Sequence, residues 1–235
     1  KDGWGIFQVP IEYKNEKTLE DPKINTPQLR EKHYWQSDHM RLYGKDFAKK
    51  ARAFSMDINY FKAALSHHSK GNWNKAQEIY QHLLKDDPNN YAVLQNYGPL
   101  LAQLREYKLA KGVFQKCLKL KPKDSLMLYN YGKFFHDQKI FDKAVRFYKE
   151  SFDLDKKNYL AVYNIGNIFL SESKFDQAIE FFKKAIEINS SNPRAYNNMG
   201  IAYKRVGNFN EALEFYKEAI KRDNNYVDAH VNYAT

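Results

Sequence analysis

The chain has 235 residues, a formal net charge of +10 and one cysteine. It contains no apolar run near the ~18 residues of a membrane-crossing helix, and a single cysteine excludes an intramolecular disulfide. Residues 1–56 carry 11 Lys or Arg against 8 Asp or Glu, and the rest carry 27 against 20. Charge mixed in this way reads as solvated helix faces rather than a nucleic-acid track.

Taken from the N-terminus, residues 1–26 hold Pro10, Pro22, several charges and an apolar cluster of Trp4, Ile6, Phe7, Val9, Ile11 and Tyr13. Prolines and charges oppose a helix and the aromatics oppose a fully disordered tail, so an extended, docked arm is expected. This start has no signal-peptide-like stretch and no initiating Met, which places it within a longer or processed chain. "TPQLRE" (26–31) predicts a helix with Thr26 as N-cap and Pro27 at its first position, ending at Gly44. A second helix from Asp46 would lead onward, and residues 27–56 together would form a helical cap.

From residue 57 the chain repeats every 34 residues, in units 57–90, 91–124, 125–158, 159–192 and 193–226 with a partial sixth, 227–235. The eighth position is small: Ala64, Gly98, Gly132, Gly166, Gly200 and Ala234. The twentieth is Ala76, Ala110, Ala144, Ala178 and Ala212, and the twenty-fourth is Tyr80, Phe114, Tyr148, Phe182 and Tyr216. The seventeenth is aromatic at Trp73, Tyr107, Phe141, Phe175 and Phe209. Two apolar-periodic segments per unit, broken near "SKGN" and "KDDPNN", predict helix, turn, helix, turn. The small positions allow close helix pairing, with positions 17, 20, 24 and 27 on one buried face. Cys117, at a twenty-seventh position, then reads as a small core residue. Pro88 and Pro122 should stop their second helices, and Pro99 should kink or open the turn at Tyr97–Leu101.

"YNNMGIAY" with "ALEFY" (Tyr196, Met199, Gly200, Tyr203, Ala212, Tyr216) resembles the tetratricopeptide (TPR) pattern, and the match runs over 57–235. Ala63 and Ala64 depart from its Leu-Gly, and Lys156, Ser190 and Asn224 from its Pro. The resemblance implies an all-α right-handed solenoid that binds proteins and needs no cofactor, metal or small-molecule substrate. It also places the first helices of the units on the inner, concave side.

The sixth position is Asn96, Asn130, Asn164, Asn198 and Asn232, with Lys62 breaking the column in the first unit. It lies about 200° around the helix from the eighth, so these amides point out of the helix pair. Similar asparagine ladders occur in the TPR superhelix of O-linked N-acetylglucosamine transferase. Two roles stand open for the column: reading a peptide backbone in the groove, or bonding between repeats and setting curvature. Tyr129, Tyr163, Asn197, Lys133, Asn167, Arg194 and Arg205 join it as candidate peptide-binding residues, an amphipathic lining suited to an extended partner segment. The Lys-Asn-Asn-Lys-Arg set of chaperone-tail clamps is absent, since Asp228 and Asn232 stand at its last two positions. His67/His68 and His33/His39 fall on different helix faces and make poor metal pairs, and no catalytic constellation is readable. The repeat frame assigns most aromatics to the core, away from nucleotide stacking.

Two functions are therefore expected to compete. One is an interaction scaffold in a larger intracellular, cytoplasmic assembly, with ciliary, axonemal and organelle-import families sharing the architecture. The other is the substrate-reading region of an O-linked N-acetylglucosamine transferase-like enzyme whose catalytic domain would lie beyond Thr235.

Overall fold

A computed structural model describes the backbone from Gly44 and the side chains from Asp57 through Thr235. The expected arm, the docking of Trp4, Phe7 and Ile11, and the helix from Thr26 lie outside the described residues. The helices are α1 (Gly44–Ser69), α2 (Trp73–Asp86), α3 (Tyr91–Gln103), α4 (Tyr107–Leu120), α5 (Ser125–Asp137) and α6 (Phe141–Leu154). They continue as α7 (Tyr159–Ser171), α8 (Phe175–Ile188), α9 (Pro193–Arg205), α10 (Phe209–Arg222) and α11 (Val227–Ala234). The described residues contain no strand, and successive helix pairs form the expected all-α TPR solenoid.

Two compact units divide the chain, one ending at Leu83 and the other running from Leu84 to Thr235. In the first, α1 is a single helix of 26 residues that starts at Gly44 and passes without a break into the first repeat. Ala64, Ala76 and Tyr80 are fully buried there, with Phe61 and His68 ringing Tyr80 at 6.4 and 6.3 Å.

The turn inside each helix pair has one cause. Its fifteenth residue takes the left-handed conformation, at Gly71 (φ 78°), Arg105 (62°), Lys139 (59°), Ser173 (59°) and Gly207 (88°). That residue's N–H bonds three residues back, and the next N–H bonds five back, as in Lys139 to His136 (2.8 Å) and Ile140 to Phe135 (2.9 Å). The orphan carbonyls of the first helix are thereby satisfied.

The turn between repeats uses different chemistry. An Asp or Asn side chain after the second helix accepts the N–H two residues on: Asp87 from Asn89 (3.1 Å), Asp155 from Lys157 (3.0 Å), Asn189 from Ser191 (3.1 Å) and Asp223 from Asn225 (3.0 Å). This local turn forms with Pro88 in place and equally where Lys156, Ser190 and Asn224 replace the proline. Asn90, Asp124, Asn158 and Asn192 then cap the following helices by accepting backbone N–H groups.

In the second unit the eighth-position glycines receive the twenty-fourth-position rings. A Cβ on Gly132, Gly166 or Gly200 would stand 2.7, 2.7 and 2.6 Å from Tyr148, Phe182 and Tyr216, whereas on Gly98 it would stand 3.3 Å from Phe114. Ala144 is 0% exposed, as its place in the repeat requires. The seventeenth position departs from expectation: Tyr107 is 40% and Phe209 62% exposed. It is the first residue of the second helix, so it hangs over the end of the buried face instead of lying within it. Pro99 does not open its turn. Helix α3 runs through it, and the Gln95 carbonyl simply loses its ladder donor.

Candidate functional site

The first helices of the second unit touch from repeat to repeat, α3 with α5, α7 with α9 and α9 with α11. The asparagine column lies along these contacts, and the structure shows what holds it. Asn164 Nδ2 donates to Tyr129 Oη at 3.2 Å, Asn198 Nδ2 to Tyr163 Oη at 3.1 Å, and Asn232 Nδ2 to Asn197 Oδ1 at 2.9 Å. Each bond joins the sixth position of one repeat to the fifth position of the repeat before it. Asn198 also donates to Asn167 Oδ1 (2.8 Å) and accepts from Asn197 (3.2 Å), using both amide hydrogens.

The N-terminal end of the column differs. Asn96 donates to Ala92 O of its own helix at 2.8 Å. Asn130 has no hydrogen-bond partner among the described residues; Gln95 stands at the fifth position before it, where the next two repeats place a tyrosine hydroxyl and the last an asparagine amide that are each bonded. Asn164 keeps its carbonyl oxygen open.

The remaining candidates separate by accessibility. Asn197 is only 2% exposed, so its amide links Asn198 to Asn232 and offers no surface for a ligand. Tyr129 and Tyr163 are half-buried against Tyr148 and Phe182, and burial holds the Tyr129 hydroxyl above its ordinary range. Lys133 is exposed and bonds Asp137 at 2.7 Å. Arg194 and Arg205 are exposed at opposite ends of α9, so they flank the column rather than converge on one point.

A second ladder was not read from the sequence. Tyr91 Oη donates to Asp124 Oδ2 (2.7 Å), and Asn192 Nδ2 donates to Tyr159 Oη (3.2 Å), tying the first position of a repeat to its last. The signal is a Tyr followed 33 residues later by a capping Asp or Asn. At Ser125 the tyrosine is missing, and a buried serine cluster replaces it. Ser151, 0% exposed, donates to Ser125 O (2.8 Å) and accepts from Asn158 Nδ2 (3.0 Å). Cys117 is fully buried, and its thiol is pushed up to about 11, chiefly by that burial. Among the described residues no three His, Cys, Asp or Glu side chains gather as metal ligands, and no helix is long and apolar enough to cross a membrane.

Models of the tetratricopeptide repeat match residues 59–90, 91–124 and 193–226, and a further TPR-repeat model matches 166–207, together more than half of the chain. No curated protein matches the sequence. Among solved structures, the chain is similar to the MamA protein at 24% identity, covering 73% of this chain and 93% of that one with a TM-score of 0.63. It is similar to YrrB, described as a TPR protein with an unusual peptide-binding site, at 21% identity, with 80% and 97% covered and a TM-score of 0.62. PilF of Pseudomonas aeruginosa is 21% identical over 75% of this chain and 80% of that one, with a TM-score of 0.66. At these identities the likeness establishes the fold alone. Repeat models, helix pairs and glycine-aromatic packing agree: the chain belongs to the tetratricopeptide-repeat family and has the architecture of its protein-interaction scaffolds.

Proposed function

We propose that the first-helix face of residues 91–235 holds an extended segment of a partner protein, within a larger intracellular assembly and without catalysis. The observation that carries this reading is the state of Asn130 and Asn164. Both sit half-exposed on the shared face, one with its amide open and the other with its carbonyl open. The inter-repeat bond to Tyr129 fixes the Asn164 rotamer, so its open oxygen is already oriented for a backbone N–H. Bonding between repeats and reading a peptide are therefore compatible roles on one column. Lys133, Asn167, Arg194 and Arg205 supply the polar surroundings, and Asn198 contributes chiefly by holding the frame. A substrate-reading role beside a catalytic domain would use the same face, and it stands as the second reading only because of the asparagine column.

The test begins with peptides selected from a random display library on the wild-type chain, followed by affinity measurement on Asn130→Ala with Asn164→Ala. Loss of two neutral hydrogen bonds to the peptide, roughly 0.5–1.5 kcal/mol each, should weaken binding about five- to a hundredfold, while the fold holds and stability falls only by the Asn164–Tyr129 bond, about 0.5–1 kcal/mol. Selected peptides that bind the double variant as tightly as wild type would retire the proposal.

A further inference from the structure

The even mixing of charge along the whole sequence conceals one segment. Residues 107–123, "YKLAKGVFQKCLKLKPK", contain six lysines and no acid. The equivalent spans of the next three repeats hold five basic against four acidic residues (141–157), two against three (175–191) and three against four (209–225). More than half of the chain's +10 thus resides in α4 and the turn after it.

Pairing differs as sharply as composition. The second helices that follow neutralise their cations along their own surfaces: Arg146 with Glu150 (3.4 Å), Lys156 with Asp153 (2.7 Å), Lys184 with Glu180 (2.6 Å) and Lys217 with Glu214 (2.8 Å). None of the six α4-segment lysines pairs with a carboxylate among the described residues. Lys116 reaches the Pro88 carbonyl, and Lys121 lies over the Tyr91 ring at 4.2 Å. Lys108, Lys111 and Lys119 fall within about 80° of one another around α4, all exposed, forming a stripe roughly 16 Å long. Along one side of it run Leu109 and Leu120, 56% and 40% exposed.

We infer that this face of α4 docks an acidic segment of a partner protein, amphipathic enough to set apolar side chains on Leu109 and Leu120 while its carboxylates meet Lys108, Lys111 and Lys119. Unpaired like charges on one helix face repel one another, and a complementary anion removes that repulsion. The leucine edge selects among anions. A phosphodiester backbone has nothing to place on it, and two leucines on a helix packed into a solenoid are too small a wedge for a lipid surface. The lysines lie on a second helix, away from the asparagine column, so this docking is independent of the groove.

The probe is a fluorescein-labelled helical peptide of glutamates and leucines with carboxylates at positions i, i+3, i+7 and i+11. Its affinity for the chain should fall at least tenfold from low to ~0.5 M salt. It should fall at least tenfold again in Lys108→Glu with Lys111→Glu and Lys119→Glu. A second variant, Lys139→Glu with Lys157→Glu and Lys183→Glu, carries the same charge change elsewhere and should bind within about twofold of wild type. The neutral set Lys108→Gln, Lys111→Gln and Lys119→Gln avoids new repulsion and should still lose about fivefold, with unchanged circular dichroism. Equal losses in the two reversed-charge sets would reduce the effect to net charge and overturn the inference. So would binding of duplex RNA or phosphatidylserine vesicles, but not the peptide, through the same three lysines.

Discussion

Repeat 91–124 and the three repeats that follow it share one frame but differ in how tightly it is held. In 125–226, the glycines meet their rings so closely that no Cβ would fit, and the second helices balance their own charge. There and in the final fragment, Asn164, Asn198 and Asn232 bond across repeat boundaries, and only Asn130, which follows the softer repeat, does not. In 91–124, the Gly98 contact is looser, Asn96 bonds within its own helix, Pro99 removes a ladder bond, and the lysines of α4 find no carboxylate. The difference teaches that a shared repeat pattern fixes the helix pair, while the boundary between pairs depends on residues the pattern leaves free. The softer repeat also carries the unpaired lysines of α4, and its Gln95 leaves Asn130 of the next repeat untied, so binding is expected on it and at its boundary with that repeat.

The largest expected break in this comparison is a methyl group. Gly200→Ala sets the new carbon 2.6 Å from the Tyr216 ring and 3.1 Å from the Ala212 carbonyl, and should cost about 1–3 kcal/mol. Gly98→Ala has room for a small shift of the Phe114 ring and gains helix propensity of up to about 1 kcal/mol, so its net change should be near zero. Thermal melting of the two variants measures both, and equal losses would erase the distinction between the repeats. Ala144→Leu should resemble Gly200→Ala, at about 1–3 kcal/mol, because the residue is fully buried in its helix pair.

Cys117 reports on the softer repeat directly. With its thiol at about 11, only on the order of one part in a thousand is thiolate at pH 8, and burial blocks that fraction. Alkylation should run at least about a hundredfold slower than in denaturant and should accelerate in variants that loosen repeat 91–124. Rapid alkylation of the native chain would show that this core is open.

The turns should show no difference at all. Arg105, Lys139 and Ser173 all adopt left-handed backbone at the same place, so replacing each by Gly should stabilise by about 0.5–1 kcal/mol wherever it lies. Melting shifts that rise along the chain would place strain in the turns as well as at the boundaries.

The helix pairs were legible in the sequence because burial imposes the 34-residue period directly: Ala144, Tyr148 and Gly132 sit as that period requires. The fate of the asparagines was not. Asn130 and Asn164 occupy identical places in the pattern, and what separates them is Gln95 against Tyr129, a residue 35 positions earlier. Asn197 read as groove lining, but Asn198 and Asn232 close over it. The seventeenth-position aromatics share the periodic face, but standing at a helix end leaves them partly in solvent. Periodicity says which way a side chain points, not which neighbour it meets.

The central claim is that position five of one repeat decides whether position six of the next is tied. A double-mutant cycle on thermal or denaturant stability tests it most directly. Asn164→Ala combined with Tyr129→Phe should show a coupling of about 0.5–1 kcal/mol, while Asn130→Ala with Gln95→Ala should show none beyond about 0.3 kcal/mol. Equal coupling in the two cycles, or none in the first, would contradict the account.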